Sequence, residues 1–155
     1  MNAERPLVDR ALAYARVDWS PPHEQPATWR VAMATVVAIA GALLADAILV
    51  ALATTVFPST AGYEHFRFDD YAKLTIIGVI VGCAGWPIVT RISGAPRWLF
   101  LRLAVVNSLV LFLPDAWLLV RGQPADAVAT LVTMHVAVAL VTYNAVVRLA
   151  AIRAS

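Results

Sequence analysis

Charge is scarce in this chain. Only 14% of its 155 residues are Asp, Glu, Lys or Arg, too few to solvate the surface of a compact domain in water. Cysteine is scarcer still. The single Cys83 excludes an intrachain disulfide and a paired-thiol redox centre, and in an apolar segment it reads as a small buried hydrophobe. No two histidines fall at zinc spacing, and neither a Gly-rich phosphate loop nor a serine nucleophile elbow occurs. Enzyme chemistry therefore has little to stand on, and no cofactor is expected. No basic run is long enough to track a phosphate backbone, which argues against a nucleic-acid partner.

What the chain does have is apolar length. Hydrophobic residues make up 61% of it, gathered into four stretches at about 31–56, 74–90, 98–120 and 127–149. About 20 apolar residues make a helix that crosses a hydrocarbon core of about 30 Å, so each stretch can span a bilayer, the second only just. Pro58, Pro96 and Pro124 fall in the gaps between them. The fold expected is all-α, an antiparallel bundle of four transmembrane helices over 29–155, preceded by a tail over 1–28. The first stretch begins too far from the N-terminus and runs too long for a cleavable signal core, so it is expected to stay in the protein.

Orientation follows from where the cations lie. With four spans, one side holds Arg5, Arg10, Arg16, Arg30, Arg91, Arg97, Arg102, Arg148 and Arg153, the other Arg67, Lys73 and Arg121. Nine against three predicts a multi-pass protein of the cell membrane with both termini cytoplasmic. Within the tail, Leu7, Val8, Ala11, Leu12, Ala15 and Trp19 recur at helical spacing, which predicts either a short amphipathic helix lying along the lipid surface or, as the plainer alternative, a frayed and partly disordered tail. The following segment, Ser20 to Pro26, is rich in proline and reads as an extended linker.

A charged group at the bilayer centre costs at least about 2.5–3.5 kcal/mol, so the polar residues inside the spans are the informative ones. Asp46, Asn107, Asp115 and His135 are the candidates. At a rise of 1.5 Å per residue, Asp46 lies about 16 Å from the far end of its stretch, His135 about 13 Å and Asp115 about 9 Å. Three helices thus deliver ionisable groups to similar depth. They predict a polar pocket in which His135 hydrogen-bonds to Asp46 or Asp115, continued inward by Thr142 on the His135 face and Ser108 on the Asp115 face. An imidazole beside carboxylates exchanges protons near neutral pH. The plainer alternative is that these groups, with Asn107 and Asn144, only tie helices together.

Helix contacts are expected at Gly41 with Ala45 and at Gly78, Gly82 and Gly85, because small residues let backbones approach. Pro114 should kink the third helix and deprive the Val110 carbonyl of its donor. The connection after the first span carries Tyr63, Phe66, Phe68 and Tyr71, which read as an interfacial anchor or a docking surface for a partner. Its Glu64, His65, Asp69 and Asp70 have no recognised metal-ligand spacing, and an exposed acidic loop is their simpler reading.

The run Ala84-Gly85-Trp86, then Arg97-Trp98, Leu113-Pro114 and Met134-His135, resembles a family of small four-helix membrane proteins from high-GC Gram-positive bacteria, catalogued as a domain of unknown function. The likeness covers roughly the last two thirds of the chain, and Asp46 and Asp115 lie outside the matched positions. It implies a four-span fold and no established activity. Taken together, the residues indicate a non-catalytic membrane component or accessory subunit, acting through helix packing within the lipid bilayer as a homo-oligomer or in a larger envelope complex. The rival reading is a small proton-coupled transporter or permease working as a homo-oligomer.

Overall fold

The computed structural model describes residues 7–14, 16–19 and 21–154; Arg5, Ala15 and Ser20 lie outside them. Four long helices, α2 (Thr28–Val56), α3 (Phe68–Ile92), α4 (Pro96–Val120) and α5 (Ala125–Leu149), follow a short α1 (Leu7–Tyr14). All four are long and apolar enough to cross a membrane, and the molecule is an all-α multi-pass membrane protein. Around the bundle α2 packs against α3 and α5, and α4 against α5 and α3. The termini and the 93–95 turn lie at one end, here the terminal end. The 57–67 and 121–124 connections lie at the other, the loop end.

The helix boundaries have local causes. Pro96 opens α4 at a first-turn position, where its missing N–H is not needed, and Pro124 caps α5. Asp69 and Asp70 sit in the first turn of α3 and Arg91 in its last, each complementing the helix dipole, as Asp126 and Arg148 do in α5. α3 consequently starts at Phe68 rather than near Leu74: the acidic pair that reads as loop in the sequence is a helix start. Pro87 and Pro114 fall inside α3 and α4.

Small residues set the closest approach. Ala34, Ala38 and Ala42 repeat every fourth residue on α2 and are fully buried, in one core with Val79, Cys83, Trp86, Phe100 and Val146 that fills the terminal half. A Cβ on Gly41 would meet Val141 Cγ1 at 3.0 Å, and one on Gly82 would meet Thr142 Cγ2 at 3.3 Å, so both glycines are α5 contacts. Gly85 faces Phe100, and Ala45 is half-buried. Gly78 departs from expectation: it is exposed and nothing lies within 4 Å of its Cβ position. The Gly78/Gly82 spacing is thus not one continuous helix contact. Gly41→Leu is expected to destabilise the bundle by about 1–3 kcal/mol through overpacking, with Gly78→Leu close to neutral. Thermal unfolding of both variants in one mild detergent compares them.

The tail is bonded rather than loose. α1 ends with Arg16 in the left-handed region (φ 50°), where the Val17 N–H donates to the Leu12 carbonyl at 3.0 Å and the Arg16 N–H to that of Ala13 at 3.1 Å. Val17 then bridges Ser93. β1 (His23–Glu24) pairs antiparallel with β2 (Arg153–Ala154). The proline-rich segment is therefore a strap across the terminal end. Leu7, Val8 and Trp19 remain exposed.

Candidate functional site

The terminal end is closed by polar contacts with the last carbonyls of α3 and α5. Those carbonyls have no partners in their own helices. The Trp86 indole donates to the Ala150 carbonyl at 2.9 Å and Arg30 Nε to that of Leu149 at 2.9 Å. His23 Nε2 and Gln25 Nε2 reach the Thr90 carbonyl at 2.8 and 3.1 Å, and the Thr90 hydroxyl donates to Gln25 Oε1 at 2.8 Å. Trp86 and Thr90 are both fully buried. Arg102 stacks 3.9 Å over the Trp98 ring and hydrogen-bonds to the Tyr14 hydroxyl, binding α1 to α4.

Toward the loop end from this seal, the interior turns polar. Asp46 is fully buried on α2 and accepts a hydrogen bond from the Thr75 hydroxyl of α3 at 2.6 Å, leaving its Oδ1 without a partner. On α4, Asp115 is only 3% exposed. Its Oδ2 stands 3.0 Å from His135 Nδ1 of α5, an ion-pair distance, but off the axis a hydrogen bond needs. His135 is also within electrostatic reach of Asp46, and its ring lies edge-on to Phe112. Asp115 and His135 thus stand together, while the bonded partner of Asp46 is Thr75.

Five buried side-chain atoms among the described residues have no hydrogen-bond partner: Asp46 Oδ1, Asp115 Oδ2, His135 Nδ1, Thr142 Oγ1 and the Tyr63 hydroxyl. Asp115 Oδ2 and His135 Nδ1 face each other at 3.0 Å, so the atoms left with no partner are Asp46 Oδ1, Thr142 Oγ1 and the Tyr63 hydroxyl; buried polar atoms are nearly always satisfied, and these three have room for a further polar partner. Four of the five belong to the residues predicted from depth and helix face. The fifth, Tyr63, comes from the 57–67 connection. Burial, followed by the charges of Glu64 and Asp115, holds its phenol above the ordinary tyrosine value. Ordered by position along their helices, these groups run from Tyr63 at the loop end through Asp115, His135 and Asp46 to Thr142 beside Gly82, the polar file.

Other expectations need correction. Asn107 is exposed on the outer face of α4 and takes no part in the polar interior. One face of α4 carries Asp115, and a residue eight positions earlier need not share it once Pro114 interrupts the helix. Ser108 is bonded to its own helix, at the Ala104 carbonyl 2.9 Å away, rather than extending the file. Phe66 and Tyr71 are buried and Tyr63 is half-buried, leaving Phe68 as the exposed member of the expected aromatic docking surface. Phe66 caps the loop end against Ala53 and Ala127, and Tyr71 packs with Ala72 and Met134. His65 is engaged by Asp70, its Nδ1 2.7 Å from Oδ2, and among the described residues no three His, Cys, Asp or Glu side chains converge as metal donors.

Thr75 and Tyr63 are the site residues that sequence reasoning missed. For Thr75 the apolar stretch misled, because a span beginning at Leu74 puts it about 14 Å shallower than Asp46; the start of α3 at Phe68 carries it deep enough for the two to bond. For Tyr63 there was no signal, because a loop tyrosine reads first as an interfacial anchor.

No family model matches the chain, and neither the curated proteins nor the solved structures contain a match to it.

Proposed function

We propose that this protein exchanges protons between the extracytoplasmic side of the cell membrane and its polar file, as a small proton-coupled transporter or permease with both termini in the cytoplasm. The arginine-rich terminal end supports that orientation. The observation that carries the reading is the burial of titratable groups with spare hydrogen-bonding capacity: Asp46 Oδ1 and the Tyr63 hydroxyl have no partner, and the buried Asp115 carboxyl faces the His135 imidazole at 3.0 Å. Orphaned polar atoms take up ordered water. A file of water, imidazole and carboxyl groups passes protons. Pure helix glue argues the other way, because groups that serve only to join helices gain nothing from unfilled hydrogen-bonding capacity.

Infrared spectroscopy of the full chain in lipid vesicles tests this. A carboxyl C=O band that titrates with pH and shifts on transfer to D2O within seconds is expected, and it should lose intensity in Asp115→Asn and in Asp46→Asn. Carboxyl bands that neither titrate nor exchange in the intact protein would refute the proposal.

A second reading is favoured by α4. Only 6% of its most apolar window is buried, against 22% to 33% for the other spans, a surface suited to a non-catalytic membrane component that acts by association. A foreign subunit in stoichiometric amount after mild detergent extraction supports that role. The kinship with the actinobacterial four-helix family is likewise proposed here, on the sequence motifs alone.

A further inference from the structure

Asn107 occupies a position at which a hydrocarbon environment leaves an amide unsatisfied. It lies near the middle of α4, about 16 Å from Pro96 and about 20 Å from Val120 at 1.5 Å per residue, which puts it close to the bilayer centre. Its side chain is exposed and makes no hydrogen bond among the described residues. Other polar side chains on exposed parts of the spans satisfy themselves. Asn144 donates to the Leu140 carbonyl at 2.8 Å, Thr133 to Ala129 at 2.8 Å and Thr55 to Ala51 at 2.7 Å. On the same face of α4 as Asn107, three residues on, the Val110 carbonyl lacks the donor that Pro114 cannot supply. The Asn107 amide thus presents unfilled hydrogen-bonding groups where lipid tails offer neither donor nor acceptor.

We infer that this face of α4 is the interface between two copies of the chain, paired through Asn107. Copies inserted with one topology are related by a two-fold axis along the membrane normal, so each α4 meets its partner in parallel, at matched depth. A residue near that axis then faces itself. An amide is its own complement: each Nδ2 donates to the other copy's Oδ1, and neither remains unsatisfied. No other occupant is guaranteed to bring an amide to that depth. Leu103, Val110 and Leu111, all exposed and within a turn of Asn107 on its face, supply the surrounding apolar contact. The inference rests on the membrane-spanning fold, and is independent of whether the polar file exchanges protons.

Oxidative cross-linking of the full-length chain in phosphatidylcholine–phosphatidylglycerol vesicles tests it, with Cys83→Ala as background and one cysteine introduced at a time. Val110→Cys is expected to give a disulfide-linked dimer. Val105→Cys, about 200° around the helix from Asn107, is expected to give none. Asn107→Leu should weaken association measured by fluorescence energy transfer about ten-fold, the scale of an interhelical hydrogen bond in lipid, while Asn107→Gln retains it. Because residue 107 is exposed, an unchanged melting midpoint of the protomer shows that the variant folds. Any of four results would overturn the interface: no cross-link at Val110, equal cross-linking on both faces, association indifferent to Asn107→Leu, or a foreign protein in stoichiometric contact with α4. A monomer in this experiment leaves the infrared result standing, and silent carboxyl bands leave the dimer standing.

Discussion

Replacing Trp86 with alanine is expected to destabilise the protein by about 3–5 kcal/mol, the range for deleting a large buried aromatic. Few side chains here are buried as completely. Trp86 is fully enclosed, meets Phe100 edge to face at 5.3 Å between ring centres, and holds the Ala150 carbonyl at the end of α5. Its loss opens a cavity between α3, α4 and α5 and strips the end of α5 of a partner. Trp86→Phe separates the two contributions. It keeps most of the packing and leaves a buried carbonyl unsatisfied, for a cost of about 1–3 kcal/mol. Unfolding in mixed detergent micelles, followed by tryptophan-independent circular dichroism, measures both. The seal is also functional in prospect: if the terminal end closes the polar file, Trp86→Ala should make the carboxyl bands respond to pH changes on either side of a vesicle, whereas the parent chain responds to one side.

Breaking the Asp115–His135 pair should have the second large effect, and its sign depends on how many partners are removed. His135→Leu leaves the Asp115 carboxyl 3% exposed with its imidazole neighbour gone, and a lone aspartate within the hydrocarbon costs about 2.5–3.5 kcal/mol on insertion scales. Taking both residues to leucine removes the charge together with its partner, and buried ion pairs replaced by apolar residues are often neutral or even more stable. The double variant is therefore expected to regain the stability that His135→Leu loses. Proton exchange should not return, because Asp46 then stands alone in the file with Thr75 as its bonded neighbour. A double variant that is stable but silent in the infrared assigns the pair to function. One that is as unstable as His135→Leu alone would mean that Asp115 and His135 contribute through packing.

The apolar lengths, the proline punctuation and the depths of Asp46, Asp115 and His135 were all legible along the chain. Depth is a one-dimensional property, set by a fixed rise per residue, and two of the three, Asp115 and His135, stand 3.0 Å apart. Azimuth was not legible. In water, an amphipathic pattern tells which side of a helix faces the core, because the other side must be polar. In lipid, the core and the surroundings are equally apolar, so Leu109 facing lipid and Val146 facing the core are chemically alike. That is why Asn107 was grouped with the interior and lies outside it, and why Gly78 and Gly82, one turn apart, part company. The aromatic residues of the 57–67 connection and the start of α3 misled for a related reason. Phe66 and Tyr71 serve an interface with lipid or a cap on the bundle equally well, and the packing of α2 against α5 decided for the cap.

Sequence alone therefore determined that the chain lives in a bilayer, how many times it crosses and how deep each polar group lies, since hydrophobic length and helical rise are properties of a single segment. Tertiary structure decided which of those groups look at one another, which end of the bundle is sealed by the strap and which amide is left facing lipid. These depend on rotation of each helix about its axis, and that rotation is chosen by close packing at residues such as Gly41, Ala42 and Gly82, where the difference between contact and clash is a few tenths of an ångström.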